Sequence, residues 1–363
     1  MSSADPVRIL VVDDSAVVRS VLKEGLGQAP GLEVVGVAHN GRQGLEMVES
    51  LAPDVVVLDV QMPEMSGIEV LERLRPGERE DLLVVVFSAA SRDNAEVTMQ
   101  CLSLGADEFV AKPDPGRTGL REPLQAVVEE LTGTIRGLIR ARDQRPAEGG
   151  GGAAGEEAPP HGPLDGFQPD LVVIGSSTGG PQTLNAILEG MPRNGPARTP
   201  VLLVQHMARG FTGAFAESLT SRSPFPWREA EDGEKVPLGT GLLAPGDYHM
   251  TVARRAGRLT VGLDQEPRVN SCRPAVDRLF LSAAELPGAN ILAVVLSGMG
   301  QDGLRGARAI RDAGGVVVVQ DADSSTVWGM PGAVAGAGLH TAILTPPEIG
   351  ELLAAALFAR SPG

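Results

Sequence analysis

Short runs of branched apolar residues alternate along the first part of the chain with segments in which apolar positions recur at helical spacing. Between residues 7 and 140 the strand-like runs are VRILVV, EVVGV, DVVVLD, LLVVVFS and DEFVAK. Each run precedes a predicted helix, the first over residues 15–28 with Ser15 as its N-cap. The apolar face of this first helix is predicted to comprise Val17, Val18, Val21, Leu22 and Leu26. The five repeats predict a parallel, doubly wound α/β domain.

The same alternation begins again at Asp170. The runs LVVIG, VLLVQ, ILAVVLS and VVVVQD predict strands, and the segments after them predict helices, the last near residues 347–358. The Gly- and Pro-rich segment 232–263 predicts hairpins and loops beside the sheet. The second half is therefore expected to be a doubly wound, mostly parallel α/β domain with a β-hairpin insertion.

The segment between these two halves differs from both in composition. It is rich in Gly, Ala, Pro and Glu and has no periodic apolar face, so it cannot bury enough surface to fold alone. We expect a domain at residues 1–141, a flexible linker at 142–168 and a second domain at 169–358. A chain of 363 residues is long enough for two domains with their own cores.

Charge and hydropathy limit the possible partners. The chain has 31 basic and 46 acidic residues, a net charge of −15, and no basic cluster, so no nucleic-acid partner is expected. Its apolar runs are much shorter than the ~20 residues of a membrane helix, so no membrane insertion is expected. No secretory leader is evident, and Cys101 and Cys272 lie in different halves, where they suggest no disulfide framework. We expect a cytoplasmic protein in which both cysteines are ordinary core or near-core residues.

Polar side chains stand at the ends of the predicted strands in the first domain. Asp13 and Asp14 follow the first strand, and Asp59, Ser88 and Lys112 lie at the ends of the third, fourth and fifth. Because the carboxyl ends of parallel strands share one edge of the sheet, these groups are expected to meet. Three clustered carboxylates repel one another without a cation, and oxygen ligands suit Mg²⁺. The arrangement favours a phosphoryl-accepting carboxylate, although polar strand ends near helix N-termini also occur without such a role.

The motifs VVDDS, VLDVQMPEMSG, FSAA and AKP resemble response-regulator receiver domains in their order and spacing. The resemblance implies a flavodoxin-like five-stranded domain in which Asp59 is the phosphoacceptor. It further implies Mg²⁺ ligands and a group of switch residues that responds to phosphorylation. The implied ligands are Asp13, Asp14 and Asp59, and the implied switch residues are Ser88, Phe109 and Lys112, with Phe109 at a position often occupied by tyrosine.

Ser177 lies in GSSTG, which has the G-x-S-x-G spacing of a serine on a tight strand-to-helix turn. Pro181 suits the first turn of the following helix and stands where a phosphate-binding loop would carry lysine. The backbone N–H of Thr178 is a candidate donor to a developing oxyanion. A purely structural strand-to-helix turn is the alternative for this motif.

His206 and Asp302 also follow predicted strands, VLLVQ and ILAVVL. Taken separately, His206 is compatible with an ordinary polar residue, and Asp302 with a cap of the helix near Leu304. Together with Ser177 they complete a nucleophile, a base and an orienting carboxylate. Their order along the chain differs from that of α/β-hydrolases, so we expect a serine hydrolase on a different scaffold.

The segments IGSSTGG, VQHM, APGDYHM, RPAVD, LSGMGQDG and VWGMPGAV resemble the catalytic domain of the CheB chemotaxis methylesterases. The resemblance implies hydrolysis of glutamate γ-methyl esters on methyl-accepting chemoreceptors, with deamidation of receptor glutamines as a further expectation. It implies a CheA-type histidine kinase as phosphodonor and no cofactor for the ester chemistry. Ser177 is then the nucleophile, His206 the general base and Asp302 its orienting partner. Met299 would offer a second oxyanion N–H.

This chain departs from the family pattern at Gln301, Ser176, Trp328 and Gly332, where asparagine, alanine, tyrosine and a basic residue are more usual. None of these changes removes a triad group, but the last two are expected to affect receptor docking. Arg273 is a candidate substrate-facing residue, with an ordinary surface charge as the alternative. Two further possibilities for the whole chain are an esterase of a non-motility signalling array and a non-catalytic, phosphorylation-controlled docking protein.

Overall fold

The computed structural model describes residues 5–74, 81–89, 91–113, 121–143, 167–191 and 197–358. The chain divides into two compact units, Met1–Asp143 and Gln144–Gly363. Most of the expected linker, residues 144–166, lies outside the described residues. The last helix of the first unit continues through Asp143, past the expected domain end at residue 141.

The first unit has a five-stranded parallel sheet with strand order β2-β1-β3-β4-β5. A helix follows each strand, which confirms the predicted α/β alternation. The elements are β1 Val7–Val12, α1 Ala16–Gln28, β2 Leu32–Ala38, α2 Gly41–Leu51, β3 Val55–Asp59, α3 Gly67–Leu74, β4 Leu83–Ala89, α4 Arg92–Ser103, β5 Glu108–Lys112 and α5 Arg121–Asp143.

Helix α1 shows how local sequence starts an element and packing orients it. The Ser15 hydroxyl accepts a hydrogen bond from the Val18 N–H at 3.4 Å, which confirms the predicted N-cap. Four of the five predicted apolar-face residues are buried, but Val17 is 48% exposed. Val17 lies about 100° around the helix from Val18, outside the buried stripe. The assignment of Val17 to the buried face was therefore wrong.

The second unit has a seven-stranded sheet with strand order β14-β13-β12-β6-β7-β9-β8 and a separate antiparallel hairpin, β10–β11. All neighbouring strands of the large sheet are parallel. The elements are β6 Leu171–Ser176, α6 Gly180–Glu189, β7 Val201–Gln205, α7 Thr212–Arg222, β8 Trp227–Glu229, β9 Gly241–Leu243, β10 His249–Arg255, β11 Arg258–Asp264, α8 Val276–Ala284, β12 Ile291–Val295, α9 Leu304–Asp312, β13 Val316–Gln320, α10 Met330–Gly336, β14 Ala342–Leu344 and α11 Pro346–Leu357.

The Gly- and Pro-rich segment 232–263 divides between two structures. The predicted hairpin forms as β10 and β11, whose strands pair antiparallel. The three residues of β9, however, belong to the large sheet, where β9 pairs with β7 and β8. Such a short strand gives too little apolar periodicity to be recognised in a sequence.

The central strands position the candidate site. Every residue of β6, β7, β12 and β13 is buried, as expected for parallel strands whose two faces are covered by helices. Strand β6 has β7 on one side and β12 on the other, so the chain changes direction across the sheet at β6. Ligand sites of open α/β sheets lie beyond the carboxyl ends of strands at this kind of switch point. None of the helices in the described ranges combines the length and apolar character that a membrane span requires.

Candidate functional site

The turn that carries Ser177 is held by the neighbouring strand ends. The Ser177 N–H donates to the Ser297 carbonyl at 3.0 Å. Gln205, the last residue of β7, accepts from the Ser176 hydroxyl at 2.6 Å and donates through Nε2 to the Ser177 carbonyl at 3.0 Å. The Gln205 side chain thus connects β7 to both residues at the end of β6, and it fixes the backbone of the turn.

Two glycines allow the loops around Ser177 to approach one another. Gly179 has φ 75°, and a Cβ there would lie 2.3 Å from Thr326. A Cβ on Gly298 would lie 2.7 Å from the Ser177 Cβ. Real Cβ atoms do not approach other atoms this closely. A residue larger than glycine at either position would therefore require the loop to shift.

The Ser177 hydroxyl is half-buried and has no hydrogen-bond partner in the described part of the chain. The backbone N–H groups of Thr178 and Met299 also lack partners among the described residues. The Ser297 hydroxyl fixes the first of these loops, because it donates to the Thr178 carbonyl at 2.7 Å and accepts from the Val327 N–H at 2.9 Å. Two N–H groups and one hydroxyl are therefore available beside this turn.

His206 is the first residue after β7. Its backbone N–H donates to the Ser176 carbonyl at 3.0 Å, which places the backbone of His206 next to the residue that precedes Ser177. The ring Nε2 lies 2.8 Å from Asp302 Oδ2, and the two side chains are 12% and 3% exposed. The structure thus joins two of the three predicted triad residues by a direct hydrogen bond.

The Asp302 carboxylate receives several further donors at the N-terminus of α8. Oδ2 accepts the Val276 N–H at 2.6 Å, and Oδ1 accepts the Asp277 N–H at 3.1 Å and Asn270 Nδ2 at 2.7 Å. Burial raises the pKa of Asp302, but these hydrogen bonds and the one with His206 outweigh burial and lower it. A helix N-terminus also favours an anion. Asp302 is therefore a fixed carboxylate beside the imidazole.

The cap of α9 comes from Asp277 and not from Asp302. Asp277 Oδ1 accepts the Gly306 N–H of α9 at 2.8 Å, and Oδ2 accepts Asn270 Nδ2 at 3.0 Å. Burial raises the pKa of Asp277, and hydrogen bonds from Gly306 and Asn270 oppose that rise. Asp302 Oδ1 also accepts the N–H of Gly303, the residue directly before α9, at 3.1 Å. The Asp302 carboxylate therefore lies between the starts of α8 and α9, while the N–H within the first turn of α9 is met by Asp277.

Cys272 departs from the expectation of an ordinary core residue. Its Sγ lies 3.4 Å from Nδ1 of His206, and the residue is only partly buried. Cys101, by contrast, is buried as expected, and burial raises the pKa of its thiol to about 12. Burial lowers the pKa of His206, but hydrogen bonds to Asp302 and Cys272 outweigh it and raise that pKa to about 10.

The five polar groups predicted at the strand ends of the first unit lie at one edge of its sheet. One carboxylate oxygen from each of Asp13, Asp14 and Asp59 lies within 4.8 Å of the other two. Lys112 Nζ lies 2.8 Å from both Asp13 Oδ2 and Asp59 Oδ2. Burial raises the pKa of Asp59 to about 6, while the nearby Lys112 charge opposes that rise. The lysine thus offsets part of the charge of a buried acidic group.

Ser88 and Phe109 complete the predicted set in this unit. The Ser88 hydroxyl is 1% exposed and has no hydrogen-bond partner among the described residues. It lies one position beyond Phe87, which pairs with Asp59 across β3 and β4. Phe109 is half-buried in β5, where it pairs with Val86. A buried hydroxyl without a partner beside Asp59 is suited to hydrogen bonding with an added group.

Family models match both units. A model of the CheB methylesterase matches residues 172–353, and a model of the response regulator receiver domain matches residues 9–120. The chain belongs to the CheB methylesterase family. It is accordingly a carboxylic-ester hydrolase joined to a receiver domain, and a purely docking role is not favoured.

Relatives of this CheB chain match it over most of their lengths. A protein of Nocardioides sp. named protein-glutamate methylesterase/protein-glutamine glutaminase is 43% identical over 350 residues, covering 95% of this chain and 93% of that protein. A Caulobacter vibrioides protein named protein-glutamate methylesterase/protein-glutamine glutaminase 2 is 40% identical over 353 residues, covering 96% and 98%. The crystal structure of the Thermotoga maritima CheB methylesterase catalytic domain is 40% identical and covers 52% of this chain and 98% of its own, with a TM-score of 0.49.

Two departures from the CheB pattern are in contact. Trp328 is 41% exposed, and its Nε1 donates to the Gln320 carbonyl at 3.1 Å. A Cβ on Gly332 would lie 3.0 Å from the indole ring. Trp328 also forms a β-bridge with Gly298, directly before Met299, which is 38% exposed. The indole therefore uses the space that a side chain at position 332 would need.

Arg273 forms hydrogen bonds with other residues of the CheB domain. Its guanidinium lies 2.7 Å from Asp247 Oδ1 through Nη2, and Nη1 donates to the carbonyls of Gln265 and Glu266 at 2.8 and 3.0 Å. Its side chain is 19% exposed. These contacts fix the hairpin end beside α8, and the substrate-facing role stays a prediction.

Four side chains around the triad were not assigned a role from the sequence: Asn270, Cys272, Asp277 and Gln205. Asp277 and Cys272 lie within or beside the RPAVD motif, so the motif could have marked the segment but not its contacts. The type of residue alone does not reveal which donor meets which carboxylate. These contacts depend on how the loops pack.

Proposed function

We propose that this CheB-family protein hydrolyses γ-methyl esters of glutamate on methyl-accepting chemoreceptors, under control of receiver phosphorylation. The main support is the hydrogen-bonded pair of partly buried His206 and buried Asp302 beside the Ser177 turn, with Nε2 and Oδ2 2.8 Å apart. The names of the relatives supply the substrate class. Deamidation of receptor glutamines at the same site is part of the proposal, because an amide undergoes the same attack with ammonia as leaving group.

In this mechanism Asp302 determines which nitrogen of His206 is the base. Asp302 accepts a hydrogen bond from Nε2–H, so the lone pair of the neutral ring lies on Nδ1. Nδ1 removes the proton from the Ser177 hydroxyl as Oγ attacks the ester carbonyl. Asp302 then stabilises the imidazolium without itself taking the proton.

The negative charge on the tetrahedral intermediate needs donors at the Ser177 turn. The Thr178 and Met299 N–H groups have no partners within the described ranges, and they are our candidates for this task. Loss of a single oxyanion donor typically lowers the rate by about 10²–10³. The intermediate collapses as the ester C–O bond breaks, and His206 Nδ1 gives its proton to the leaving methanol. Water then attacks the acyl-serine by the same route and releases the glutamate side chain.

The acidic pocket of the receiver fits Mg²⁺, because three carboxylate oxygens lie within 4.8 Å of one another. When bound, the ion would neutralise charge on the phosphoryl donor, for which we propose a CheA-type histidine kinase. Asp59 attacks phosphorus through a carboxylate oxygen, and the P–N bond to the donor histidine breaks as the O–P bond forms, which releases the imidazole of the kinase. Lys112 and the Ser88 hydroxyl, which has no partner among the described residues, then contact the phosphoryl oxygens. These contacts shift the backbone at the end of β4, where Ser88 lies.

Methanol release from methylated chemoreceptor membranes tests the proposal. We expect release by the wild type, loss of release in Ser177→Ala, and an increase with Mg²⁺ and a small phosphodonor only when Asp59 is present. Asp59→Ala should keep the basal rate without the increase. Release that persists in Ser177→Ala would overturn the assigned nucleophile, and equal stimulation of Asp59→Ala would overturn the assigned phosphorylation site.

A further inference from the structure

The nitrogen of His206 that we propose as the base, Nδ1, contacts the thiol of Cys272. Nε2 contacts Asp302 at 2.8 Å, and Nδ1 lies 3.4 Å from Sγ of Cys272. The Ser177 hydroxyl has no hydrogen-bond partner in the described part of the chain. In the resting site the imidazole therefore bridges a carboxylate and a thiol, while the proposed nucleophile stands unpaired.

Backbone geometry, and not only a side-chain rotamer, places this thiol. Val269 and Cys272 exchange two backbone hydrogen bonds of 3.1 and 2.9 Å around a two-residue turn. The turn residues Asn270 and Ser271 have φ of 51° and 65°, in the left-handed region that such hairpin turns require. The same turn directs Asn270 Nδ2 to Asp302 Oδ1 at 2.7 Å. One turn thus presents a partner to each end of the His206–Asp302 pair.

We propose that Cys272 is a positioning residue for the ester hydrolysis: its thiol holds Nδ1 of His206 in the resting site and must release it before Ser177 can be deprotonated. The inference rests on the proposed function, since it concerns the base of that reaction. It adds a residue whose chemistry, a thiol in contact with an imidazole, differs from that of the triad.

The contact between Sγ and Nδ1 involves the same ring nitrogen that the reaction uses. A neutral imidazole can accept a hydrogen bond from the thiol through Nδ1, and that lone pair is then occupied. Only the neutral imidazole can remove the Ser177 proton. The ionisable groups that face the ring are Asp302 at Nε2 and Cys272 at Nδ1, while Asp277 is one step removed, through Asn270.

Removal of the thiol should therefore free the base at lower pH. Burial lowers the pKa of His206, whereas its contacts with Asp302 and Cys272 raise it. In Cys272→Ala and Cys272→Ser the contribution of the sulfur is absent, so the neutral base persists to lower pH. The pH below which kcat/KM falls should be lower in these variants than in the wild type by about one unit. At a pH below both midpoints, kcat/KM of the variants should therefore be about tenfold higher than that of the wild type.

The pH profile of methanol release from methylated receptors measures this shift. Cys272→Ser keeps a hydroxyl that can donate to Nδ1 but does not ionise in this range, so it should share the acid-limb shift while KM stays within about twofold of the wild type. Cys101→Ala is the matched control, because this thiol is buried in the other unit and its loss should leave the limb unchanged. Superimposable acid limbs for wild type, Cys272→Ala and Cys272→Ser would overturn the inference.

A second readout does not depend on hydrolysis. Iodoacetamide alkylates the sulfur with loss of iodide, and mass spectrometry of the full chain locates the product. We expect alkylation of Cys272 at about pH 6 to be several-fold faster in the wild type than in His206→Gln, because a protonated imidazole in contact with a cysteine increases the reactivity of its sulfur. Equal rates would overturn the pairing. If no receptor ester is hydrolysed by any variant, the proposed function fails, whereas this experiment still decides the contact between Cys272 and His206.

Discussion

Asp302 and Asp277 hold the N-termini of two helices in a reciprocal way. The Asp302 carboxylate, which precedes α9 in the chain, accepts the first two N–H groups of α8. Asp277, within α8, accepts the Gly306 N–H of α9. Asn270 donates to both carboxylates, at 2.7 and 3.0 Å. The Asp302 carboxylate, which we propose as the orienting group of the triad, is therefore also part of the attachment between α8 and α9. Its position depends on groups outside the triad.

Replacement of Asp277 should affect stability and rate together. Asp277→Ala removes the α9 cap and one partner of Asn270, and loss of a helix cap typically costs about 1 kcal/mol. We expect a lower free energy of unfolding and a lower kcat, with KM unchanged. Asp277→Asn keeps the oxygen that accepts the Gly306 N–H and is the matched control. Both tryptophans, Trp227 and Trp328, lie in the second unit, so tryptophan fluorescence reports its unfolding selectively. An unchanged kcat in Asp277→Ala would contradict the link to Asp302.

The hydrogen bonds of the Gln205 side chain with Ser176, Ser177 and His206, here called the Gln205 clamp, give a second prediction. Gln205→Ala removes the bonds to the Ser176 hydroxyl and to the Ser177 and His206 carbonyls, whereas Ser176→Ala removes only the first. Because the clamp fixes the backbone of the Ser177 turn, kcat should fall by about tenfold or more in Gln205→Ala and by much less in Ser176→Ala. Equal effects of the two substitutions on methanol release would argue against the clamp.

The contact between Trp328 and Gly332 predicts a coupled pair of substitutions. A Cβ at position 332 would lie 3.0 Å from the indole of Trp328, so Gly332→Ala should displace the indole. The displacement should offset part of the gain in free energy of unfolding that alanine usually gives in a helix. Gly336, in the same helix, has no neighbour within 4 Å of its Cβ position, and Gly336→Ala should stabilise by up to about 0.5–1 kcal/mol. In a Trp328→Ala background the two substitutions should become similar. Denaturation followed by circular dichroism measures all four variants, and persistence of the difference without the indole would exclude the contact as its cause.

The protonation of His206 makes stability depend on pH. Its pKa rises from the ordinary value of 6.5 to about 10 in the folded protein, so the folded state holds the proton more tightly than the unfolded state. The resulting stabilisation is complete below about pH 6.5 and is lost as pH rises through about 10. Relative to His206→Gln, the wild type should lose its advantage in free energy of unfolding between about pH 6 and pH 10.5. A constant difference across that range would mean that His206 is not protonated in the folded protein.

Residue patterns predicted the repeating β/α architecture and the polar strand ends because both follow from short-range periodicity. Buried runs such as LVVIG and ILAVVLS mark strands, and the residue after a strand in a parallel sheet lies at the ligand-binding edge. Ser177 and His206 directly follow β6 and β7 and could be selected as candidates on that ground, whereas Asp302 lies further along the loop after β12 and could be selected only as the carboxylate that completes a triad. Their proximity follows from the order β12-β6-β7, which the pattern of each strand does not specify.

The remaining features depend on long-range packing. The three-residue strand β9 is too short for a periodic signal, and Val17 differs from its apolar neighbours only in where the helix meets the sheet. The contact of Cys272 with His206 requires a left-handed turn at Asn270 and Ser271, neither of which is glycine. Such a turn in non-glycine residues is uncommon and is not evident from the residue types.

In the proposed reaction Ser177, and not the nearby thiol of Cys272, becomes acylated. Rapid acid quench of the wild type during the first turnover of a peptide with a glutamate γ-methyl ester, followed by mass spectrometry, measures this directly. We expect an added mass equal to the peptide minus methanol on Ser177, absent in Ser177→Ala and retained in Cys272→Ser. An adduct on Cys272, or one that survives in Ser177→Ala, would contradict it.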